Sequence, residues 1–326
     1  MSKAFRFHEF GGPEVLRWED VEIGDPGPGQ VRLRHTAIAV NFRDVYVRRG
    51  HHEIKSFPSG VGIESAGVIE ALGPGVAGLS VGDRVACVAG PDNAYGEGRL
   101  VPAARVVPLP AAIDDRLAAA MMIRGMTARF LVRETWPVKP GDTILVHAAA
   151  GGVGLILCQW ANYLGATVIG TVSSRAKADT ALAHGCHHAI VYGEEDFVPR
   201  VKELTQGRGV DVVYESVGKD TFEGSLHSVR RRGMVISFGE ASGAPEPVPP
   251  KRLGPLGSIY LTHPGLPDYT ATREELLATV DDLFTMVRDG HIRIGINHTY
   301  ALKDAPLAHR DLEERRTTGS TILVVD

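Results

Sequence analysis

The segment from residue 143 to residue 165 constrains the fold more than any other part of the chain. An apolar run, Thr143–Ala148, is followed by small residues and then by a longer apolar stretch, Val153–Leu164, that ends at Gly165. A short apolar run is typical of a buried strand, and a longer one closed by glycine is typical of a helix. A strand joined to a helix by so short a turn predicts the first unit of a parallel sheet with crossover helices.

The alternation of strand-like and helix-like segments continues beyond Gly165. Apolar, β-branched runs predict strands at 166–172, 189–192, 210–214 and 234–238. Helices are predicted between the earlier strands, at 176–184 and 197–205. Strands that alternate with helices form parallel sheets with both faces covered. We therefore predict an α/β chain with a doubly wound, Rossmann-type domain in its middle.

The first part of the chain, up to about residue 120, has a different texture. Its short apolar runs are interrupted by glycine and proline, and Val31–Arg34 alternates apolar and polar residues. This pattern predicts a curved, β-rich domain. A helix is predicted to begin at Asp114–Asp115, another over 272–287 behind a Thr-x-x-Glu capping box, and a strand at Thr321–Val325.

The strand predicted at the tail has no partner near it in the sequence, so we expect it to return to the first sheet. The predicted layout is a β-rich domain over 1–122 and 265–326, interrupted by the doubly wound domain over 123–264. The glycine- and proline-rich stretch 239–257 is predicted to be a long loop.

The turn between the first strand and helix has the composition of a phosphate-binding loop. Ala149, Gly151 and Gly154 stand at the three glycine positions of the G-x-G-x-x-G pattern, with alanine at the first. The second position lets the backbone approach a pyrophosphate, the third allows close packing of helix on strand, and the helix N-terminus attracts the anion. We predict a dinucleotide site at Ala150, Gly151, Gly152, Val153 and Gly154; the alternative is a tight turn without a ligand.

The end of the second strand indicates which dinucleotide is bound. Domains that bind NAD carry an acidic residue about 20 positions beyond the glycines, for the ribose 2′-hydroxyl. Here the strand ends in Ser173-Ser174-Arg175-Ala176-Lys177, with no carboxylate. Hydroxyl groups and cations suit a 2′-phosphate, which favours NADPH. The alternative is that Arg175 and Lys177 are ordinary solvated helix residues.

Composition excludes several other classes of protein. A net charge of -4 argues against a dedicated nucleic-acid binder, and no apolar run is long enough for a membrane span. The three cysteines, Cys87, Cys158 and Cys186, form no CxxC pair, so neither a disulfide framework nor a zinc ribbon is predicted. No apolar signal segment begins the sequence, and a cytoplasmic location is expected by default.

A series of short motifs, in order along almost the whole sequence, matches those of a known protein family. They are Gly11-Gly12-Pro13-Glu14-Val15-Leu16, Asn41-Phe42-x-Asp44-x-Tyr46, Gly82-Asp83-Arg84-Val85, His147 to Gly154, Cys158-Gln159-Trp160-Ala161, Val213-Tyr214-x-Ser216-Val217-Gly218 and Ser237-Phe238-Gly239. With these the chain resembles the zeta-crystallin-type quinone oxidoreductases, zinc-free members of the medium-chain dehydrogenase/reductase superfamily. The resemblance implies a GroES-like first domain, a homodimer, and NADPH between the two domains.

The resemblance also implies roles for individual residues. The catalytic and substrate-side contacts would be Asn41, Tyr46 and Thr127. The remaining cofactor contacts would be Phe42, Asp44, Ser173, Ser174, Lys177, Tyr192, Ser216, Val217, Phe238, Gly239 and Arg315, although Arg316 leaves the register of the last one open.

The zinc ligands of related alcohol dehydrogenases are missing from the sequence. At the two places where the resemblance would put them, the chain has Asn41-Phe42-Arg43-Asp44 and Gly62-Ile63-Glu64, with neither cysteine nor histidine. Zinc sites in proteins depend mainly on those two ligand types. Without a metal the oxidation of an alcohol lacks its Lewis acid, whereas the reduction of an electron-poor quinone or enone requires less assistance. No metal site is predicted.

The acceptor is the least determined part of the prediction. Arg48, Arg49, His51 and His52 are more basic than a quinone site requires, and their roles are open. One alternative is an NADPH-dependent enone or enoyl-thioester reductase on the same scaffold. A second is a non-catalytic binding protein, crystallin-like or RNA-binding, which the acidic composition disfavours.

Overall fold

The computed structural model describes residues 2–88 and 92–325. The chain divides into two compact units, the first formed by residues 1–123 and 294–326 and the second by residues 124–293. Up to the middle of the chain the elements are β1 (Ser2–Phe7), β2 (Arg17–Val21), β3 (Gln30–Ala39), α1 (Phe42–Arg49), β4 (Ser59–Gly60), β5 (Glu64–Leu72), β6 (Arg84–Val88), β7 (Gly98–Pro102), β8 (Val106–Pro108), α2 (Asp115–Phe130), β9 (Thr143–Val146) and α3 (Gly152–Tyr163). They continue with β10 (Thr167–Val172), α4 (Arg175–Leu182), β11 (His188–Val191), α5 (Phe197–Leu204), β12 (Val210–Glu215), α6 (Phe222–Ser228), β13 (Val229–Ser237), β14 (Tyr260–Thr262), α7 (Arg273–Arg288), β15 (Ile296–Ala301), α8 (Ala305–Glu313) and β16 (Ser320–Val324).

The second unit is built on a six-stranded parallel sheet. Its strand order is β11-β10-β9-β12-β13-β14, and every neighbouring pair is parallel. The order reverses its direction at β9, the strand that precedes the glycine-rich turn, and ligands of doubly wound sheets bind at such a point. The predicted doubly wound fold is therefore confirmed, and β14 extends the sheet beyond the strands that the sequence indicated.

The first unit contains two sheets and the predicted return of the tail. A three-stranded sheet has the order β2-β1-β4, and a larger one has the order β15-β16-β3-β5-β6-β8, with β7 also pairing with β3. The tail strand β16 lies antiparallel to β3, with Leu323 opposite Ile38, and both side chains are completely buried. The predicted β-rich character and the return of the tail are both confirmed.

Residues 265–293 belong to a different unit from the one expected. The sequence assigned them to the first domain, but α7 packs within the second unit. Its Leu283 lies against Gly125 of α2, and its Asp282 accepts a hydrogen bond from Arg129 at 3.2 Å. The predicted capping box is present, because Thr272 and Glu275 each accept the other's backbone N–H. The chain re-enters the first unit at Ile294.

Besides β14, the elements α1, α6, β15 and α8 were not expected, because they form in segments to which the sequence analysis assigned no helix or strand. The stretch 239–257 carries only a single-turn 3-10 helix, Pro250–Arg252, as its loop-like composition predicted. No helix in the described ranges is long and apolar enough to cross a membrane.

Candidate functional site

The turn that joins β9 to α3 forms a compact backbone cradle. Ala148 adopts a left-handed conformation (φ +50°), and Gly151 donates its N–H to the Ala148 carbonyl oxygen at 2.8 Å. Ala149 donates to the Thr171 carbonyl oxygen at 3.1 Å, which ties the turn to β10. The first helical bond runs from the Leu155 N–H to the Gly151 oxygen at 2.9 Å. The N–H groups of residues 152–154 lie before this bond, so the helix supplies no carbonyl oxygen to accept from them. An anion is favoured at this position.

Two glycines keep the cradle open. A Cβ atom at Gly154 would lie 2.9 Å from the Ala149 Cα and closer still to the Ala148 carbonyl oxygen. At Gly151 the nearest atom to an added Cβ, the Ala148 oxygen, is 3.1 Å away. Gly154 therefore permits the close approach of helix and turn, whereas a Cβ at Gly151 would be only slightly crowded by the turn. The close packing at Gly154 is what the third glycine of the pattern predicts.

The end of β10 presents polar groups and no acidic one. Ser174 caps α4 and accepts the Lys177 backbone N–H at 3.4 Å, whereas Ser173 is exposed. Arg175 is exposed and forms an ion pair with Glu194, so its charge is already matched. Lys177, one turn into the same helix, is partly buried. The two predicted cations thus differ in exposure, with Arg175 exposed and Lys177 partly buried.

The remaining predicted cofactor contacts of the second unit follow three other strands. Tyr192 comes directly after β11, Ser216 and Val217 after β12, and Phe238 and Gly239 after β13. Because all these strands are parallel, their carboxyl ends share one edge of the sheet with the cradle. The structure therefore brings these five residues to the same edge of the sheet as the cradle.

A buried carboxylate that the sequence analysis missed organises this edge. Glu215, the last residue of β12, accepts hydrogen bonds from the backbone N–H groups of Val217 and Gly218 at 2.7 and 3.0 Å. It also accepts from the hydroxyls of Thr221, at 2.8 and 2.9 Å, and Ser225, at 2.6 Å. The side chain is completely buried. Glu215 thus fixes the turn that carries Ser216 and Val217.

His147 extends this network to the neighbouring strand. Its Nε2 lies 2.9 Å from the Ser225 oxygen and its Nδ1 lies 2.8 Å from the Thr171 oxygen. Because the Ser225 hydroxyl donates to Glu215, its oxygen must accept from His147 Nε2–H, and Nδ1 must then accept from Thr171. Burial lowers the pKa of His147, although the nearby Glu215 opposes the shift, so the ring is a neutral link. One chain of hydrogen bonds thus joins β10, β9, α6 and β12.

In the first unit, α1 carries two of the three predicted catalytic residues. Asn41 is the N-cap of this helix. Phe42 and Tyr46 are four residues apart, partly exposed, and have ring centroids 6.2 Å apart. Asp44 and Val45 point to the interior instead. The side chain of Asp44, which the resemblance made a cofactor contact, is completely buried and held by neighbouring residues.

The amide of Asn41 is oriented by a second buried carboxylate. Asn41 Nδ2 donates to Glu64 Oε2 at 3.0 Å, and Glu64 Oε1 accepts the Ile123 N–H at 2.6 Å. Because a carboxylate only accepts, this contact fixes which amide atom faces Glu64. The sequence analysis considered Glu64 only because it lies where the resemblance would put a zinc ligand. A charged residue inside an apolar run was the signal that could have identified it.

The basic residues around α1 are largely neutralised by acidic partners. Arg48 is completely buried and donates to Glu313 at 2.7 Å, and Arg49 pairs with the same carboxylate. Arg43 pairs with Asp92. The rings of His51 and His52 lie 6.2 and 5.9 Å from the Tyr46 ring, so they continue its aromatic surface. These arginines, which made the identity of the acceptor uncertain in the sequence analysis, therefore form ion pairs within the first unit.

For two predicted site residues, Thr127 and Arg315, the structure gives a position but does not indicate a role. Thr127 is a partly exposed residue in the interior of α2, in the second unit. Arg315 is exposed just after α8, in the first unit, and the neighbouring Arg316 pairs with Asp311 at 3.0 Å. Within the described ranges no group of three or more histidine, cysteine, aspartate or glutamate residues is arranged to hold a metal ion.

Family comparisons agree with both units. Residues 27–111 match the alcohol dehydrogenase GroES-like domain, and residues 152–281 match the zinc-binding dehydrogenase domain. Together with the parallel sheet and its cradle, these matches define a medium-chain dehydrogenase/reductase.

Individual relatives identify the branch of that superfamily. A quinone oxidoreductase of Pseudomonas aeruginosa is 49% identical over 99% of this chain and 100% of its own length. A 2-haloacrylate reductase of Burkholderia sp is 46% identical over 99% of each chain. The structure of Escherichia coli quinone oxidoreductase complexed with NADPH has a TM-score of 0.97, at 44% identity over 99% of each chain. The chain belongs to the quinone oxidoreductase family, as the sequence motifs predicted.

Proposed function

We propose that this protein transfers a hydride from NADPH to a quinone without the help of a metal. The observation that carries the proposal is the edge of the second unit's sheet, where the cradle, Lys177 and a carboxylate-free strand end lie together. The cradle suits a pyrophosphate because the N–H groups of 152–154 have no carbonyl acceptor within the helix, and the glycine at 151 adds no side chain beside them. Relatives named quinone oxidoreductase, at 44–49% identity, support the acceptor class.

NADPH supplies the hydride when it is bound, and the protein's own residues bind and orient the reactants. The N–H groups of 152–154 would hold the pyrophosphate, and Ser173, Ser174 and Lys177 the 2′-phosphate. Tyr192, Ser216, Val217, Phe238 and Gly239 would line the rest of the dinucleotide, with Thr127 and Arg315 as further contacts. A quinone that accepts hydride becomes an oxyanion, which the Tyr46 hydroxyl or the Asn41 amide would stabilise or protonate.

Steady-state oxidation of NADPH tests this function directly. Turnover of a naphthoquinone with NADPH, unchanged by a metal chelator, is the expected result. A second candidate is the reduction of an activated carbon–carbon double bond, because one close relative is a 2-haloacrylate reductase. Crotonyl-type thioesters and 2-haloacrylate should be tested beside the quinone. Turnover of these compounds alone, or a requirement for bound zinc, would contradict the proposal.

Lys177→Ala should raise the KM for NADPH roughly 10- to 100-fold, because a charge-assisted contact to phosphate is worth about 1.5–3 kcal/mol. The KM for NADH should hardly change, since NADH has no 2′-phosphate. Arg175→Ala is the matched control: it removes a cation from the same helix that is already paired with Glu194, so both KM values should stay near normal. Equal losses for both cofactors in Lys177→Ala would show that Lys177 does not read the phosphate.

Tyr46→Phe should lower kcat/KM for a quinone about 10-fold while the affinity for NADPH stays normal, because only a proton donor that water can replace is lost. A loss of about 100-fold would make the hydroxyl an oxyanion stabiliser. Phe42 and the histidine rings keep the aromatic surface in the variant. Unchanged quinone kinetics in both Tyr46→Phe and Tyr46→Ala would reduce Tyr46 to a packing residue.

We further propose that the enzyme is a cytoplasmic homodimer, as the family resemblance implies. Sedimentation of the purified protein at two concentrations would measure its mass directly.

A further inference from the structure

Asp44 is a buried carboxylate at the start of α1 to which the proposed reaction gives no direct role. Its side chain is completely enclosed. One oxygen, Oδ2, accepts the Asn41 backbone N–H at 2.8 Å and the Tyr95 hydroxyl at 3.1 Å. The other, Oδ1, is also buried and has no hydrogen-bond partner in the part of the chain that the structure describes. Burying a charge with unmet hydrogen-bonding capacity is costly, so an aspartate here calls for an explanation.

Behind Asp44 the hydrogen bonds continue to α8. The Tyr95 hydroxyl lies 3.0 Å from His309 Nε2, and both side chains are completely buried. Because Tyr95 donates to Asp44, its oxygen must accept from His309 Nε2–H, which fixes the tautomer of the ring. Burial, aided by the charge of Arg48, lowers the pKa of His309 to about 3. His309 is therefore a neutral donor at the far end of a chain in which every proton points towards Asp44.

We propose that Asp44 is the positioning residue of the acceptor side: its carboxylate anchors the first turn of α1 and so holds Asn41 and Tyr46 in place for the reaction. Asn41 is linked directly, through its backbone N–H. Tyr46 is linked through the helix, because it lies half a turn beyond Asp44 on the partly exposed face. The inference rests on the proposed function, since it assumes that these two residues face the acceptor.

The ionisation of Asp44 gives this role a measurable signature. Burial raises the pKa of Asp44 from 3.8 to about 6, opposed by the Asn41 N–H, Arg43 and Tyr95 and assisted by Asp92. A raised pKa means that ionising Asp44 costs folding free energy. The free energy of unfolding is therefore higher at low pH, where Asp44 is protonated, and it falls as the pH rises from about 3.8 to about 6. The anchor needs the ionised form, the stronger acceptor. Activity should therefore rise over the pH range in which stability falls.

The test is the pH dependence of kcat/KM for the quinone in matched variants. Wild type should show an acid limb near pH 6. Asp44→Asn should lose this limb, with kcat/KM roughly tenfold lower at pH 8 because a neutral acceptor replaces a charged one. Tyr95→Phe should move the limb to higher pH, since the hydroxyl favours the ionised carboxylate. Tyr300→Phe is the control: it removes a similar 2.7 Å hydrogen bond from a tyrosine to Asp311 in the same unit, and the limb should stay in place.

Thermal unfolding provides a readout that does not depend on activity. When the pH is lowered from 7 to 5, the melting temperature of wild type should rise relative to that of Asp44→Asn, because only wild type has a buried carboxylate whose charge is removed by protonation. An acid limb that persists in Asp44→Asn, or that moves equally in Tyr95→Phe and Tyr300→Phe, would overturn the inference. If Asp44→Asn does not fold, the Tyr95→Phe shift still decides it. Failure of the proposed function is distinct: no quinone would be turned over, or Tyr46→Phe would have no effect.

Discussion

Glu215→Ala should lower the free energy of unfolding by about 3–5 kcal/mol, because it removes the common acceptor of a buried hydrogen-bond network. The substitution leaves the Val217 and Gly218 N–H groups and the hydroxyls of Thr221 and Ser225 without the oxygen they share. A buried donor without an acceptor costs about 1–3 kcal/mol. The turn that these groups hold carries Ser216 and Val217, two residues that we assign to the cofactor.

Chemical denaturation measures this loss, and Glu223→Ala is its matched control. Glu223 is an acidic residue of α6 that is largely exposed and pairs with Arg252 at 2.6 Å, so its removal should change stability by less than about 0.5 kcal/mol. Glu215→Gln should fall between the two, because one oxygen still accepts while the new amide faces other donors. A loss below about 1 kcal/mol in Glu215→Ala would show that the network rearranges easily.

The parallel-sheet unit was predictable because its signals are local. Each of its first strands is an apolar run bounded by glycine or polar residues, and each crossover helix lies between two such runs. β14 was missed because it has only three residues, at the edge of the sheet, behind a long loop. α6 was missed because its seven residues include serine, glycine and histidine, and tertiary contacts with β12 rather than helix propensity hold it.

The boundary between the units could not be predicted from composition. Residues 265–293 have no strand–helix alternation, and that absence suggested a return to the first domain. Their place is decided by packing, where the side chain of Leu283 occupies the space that Gly125 leaves open. Contacts across such a long stretch of chain are set by the three-dimensional fold and have no local signature. The same holds for α8, because its His309 and Glu313 meet their partners, Tyr95 and Arg48, only in the folded protein.

The candidate site shows the same division between local and distant signals. The cradle, Ser174 and Lys177 were predicted because a motif of fixed spacing places them after consecutive strands. Glu215, Glu64 and Asp44 were not recognised as supporting groups, because each acts on a residue that it meets only in the fold. An acidic residue can be solvated or buried, and only the fold reveals which hydrogen bonds it accepts.

Gly154→Ala should weaken NADPH binding by about 100-fold or more and also destabilise the protein. Helix propensity alone predicts the opposite sign for stability, since alanine is favoured over glycine within a helix by about 1 kcal/mol. Here the added Cβ would lie 2.9 Å from the Cα and carbonyl carbon of Ala149, which are backbone atoms that no rotamer change can move away. Overpacking of this kind costs about 1–3 kcal/mol, so the steric effect should outweigh the gain in propensity.

The effect on binding follows from what must shift to relieve the clash. The Ala148–Ala149 backbone is the floor of the cradle, so its movement displaces the N–H groups of 152–154 from the pyrophosphate. Each charge-assisted hydrogen bond that is lost costs about 1.5–3 kcal/mol, so losing one or two of them weakens binding about 100-fold or more. Titration of the variant with NADPH, followed by cofactor fluorescence, measures the affinity, and thermal unfolding measures the stability. Gly151→Ala separates the two effects: its Cβ is 3.1 Å from the Ala148 oxygen, so the fold should tolerate it while the methyl group meets the ligand. Equal stability and normal NADPH affinity in Gly154→Ala would mean that the helix and turn can move apart freely, and the cradle would then not be the rigid phosphate site argued here.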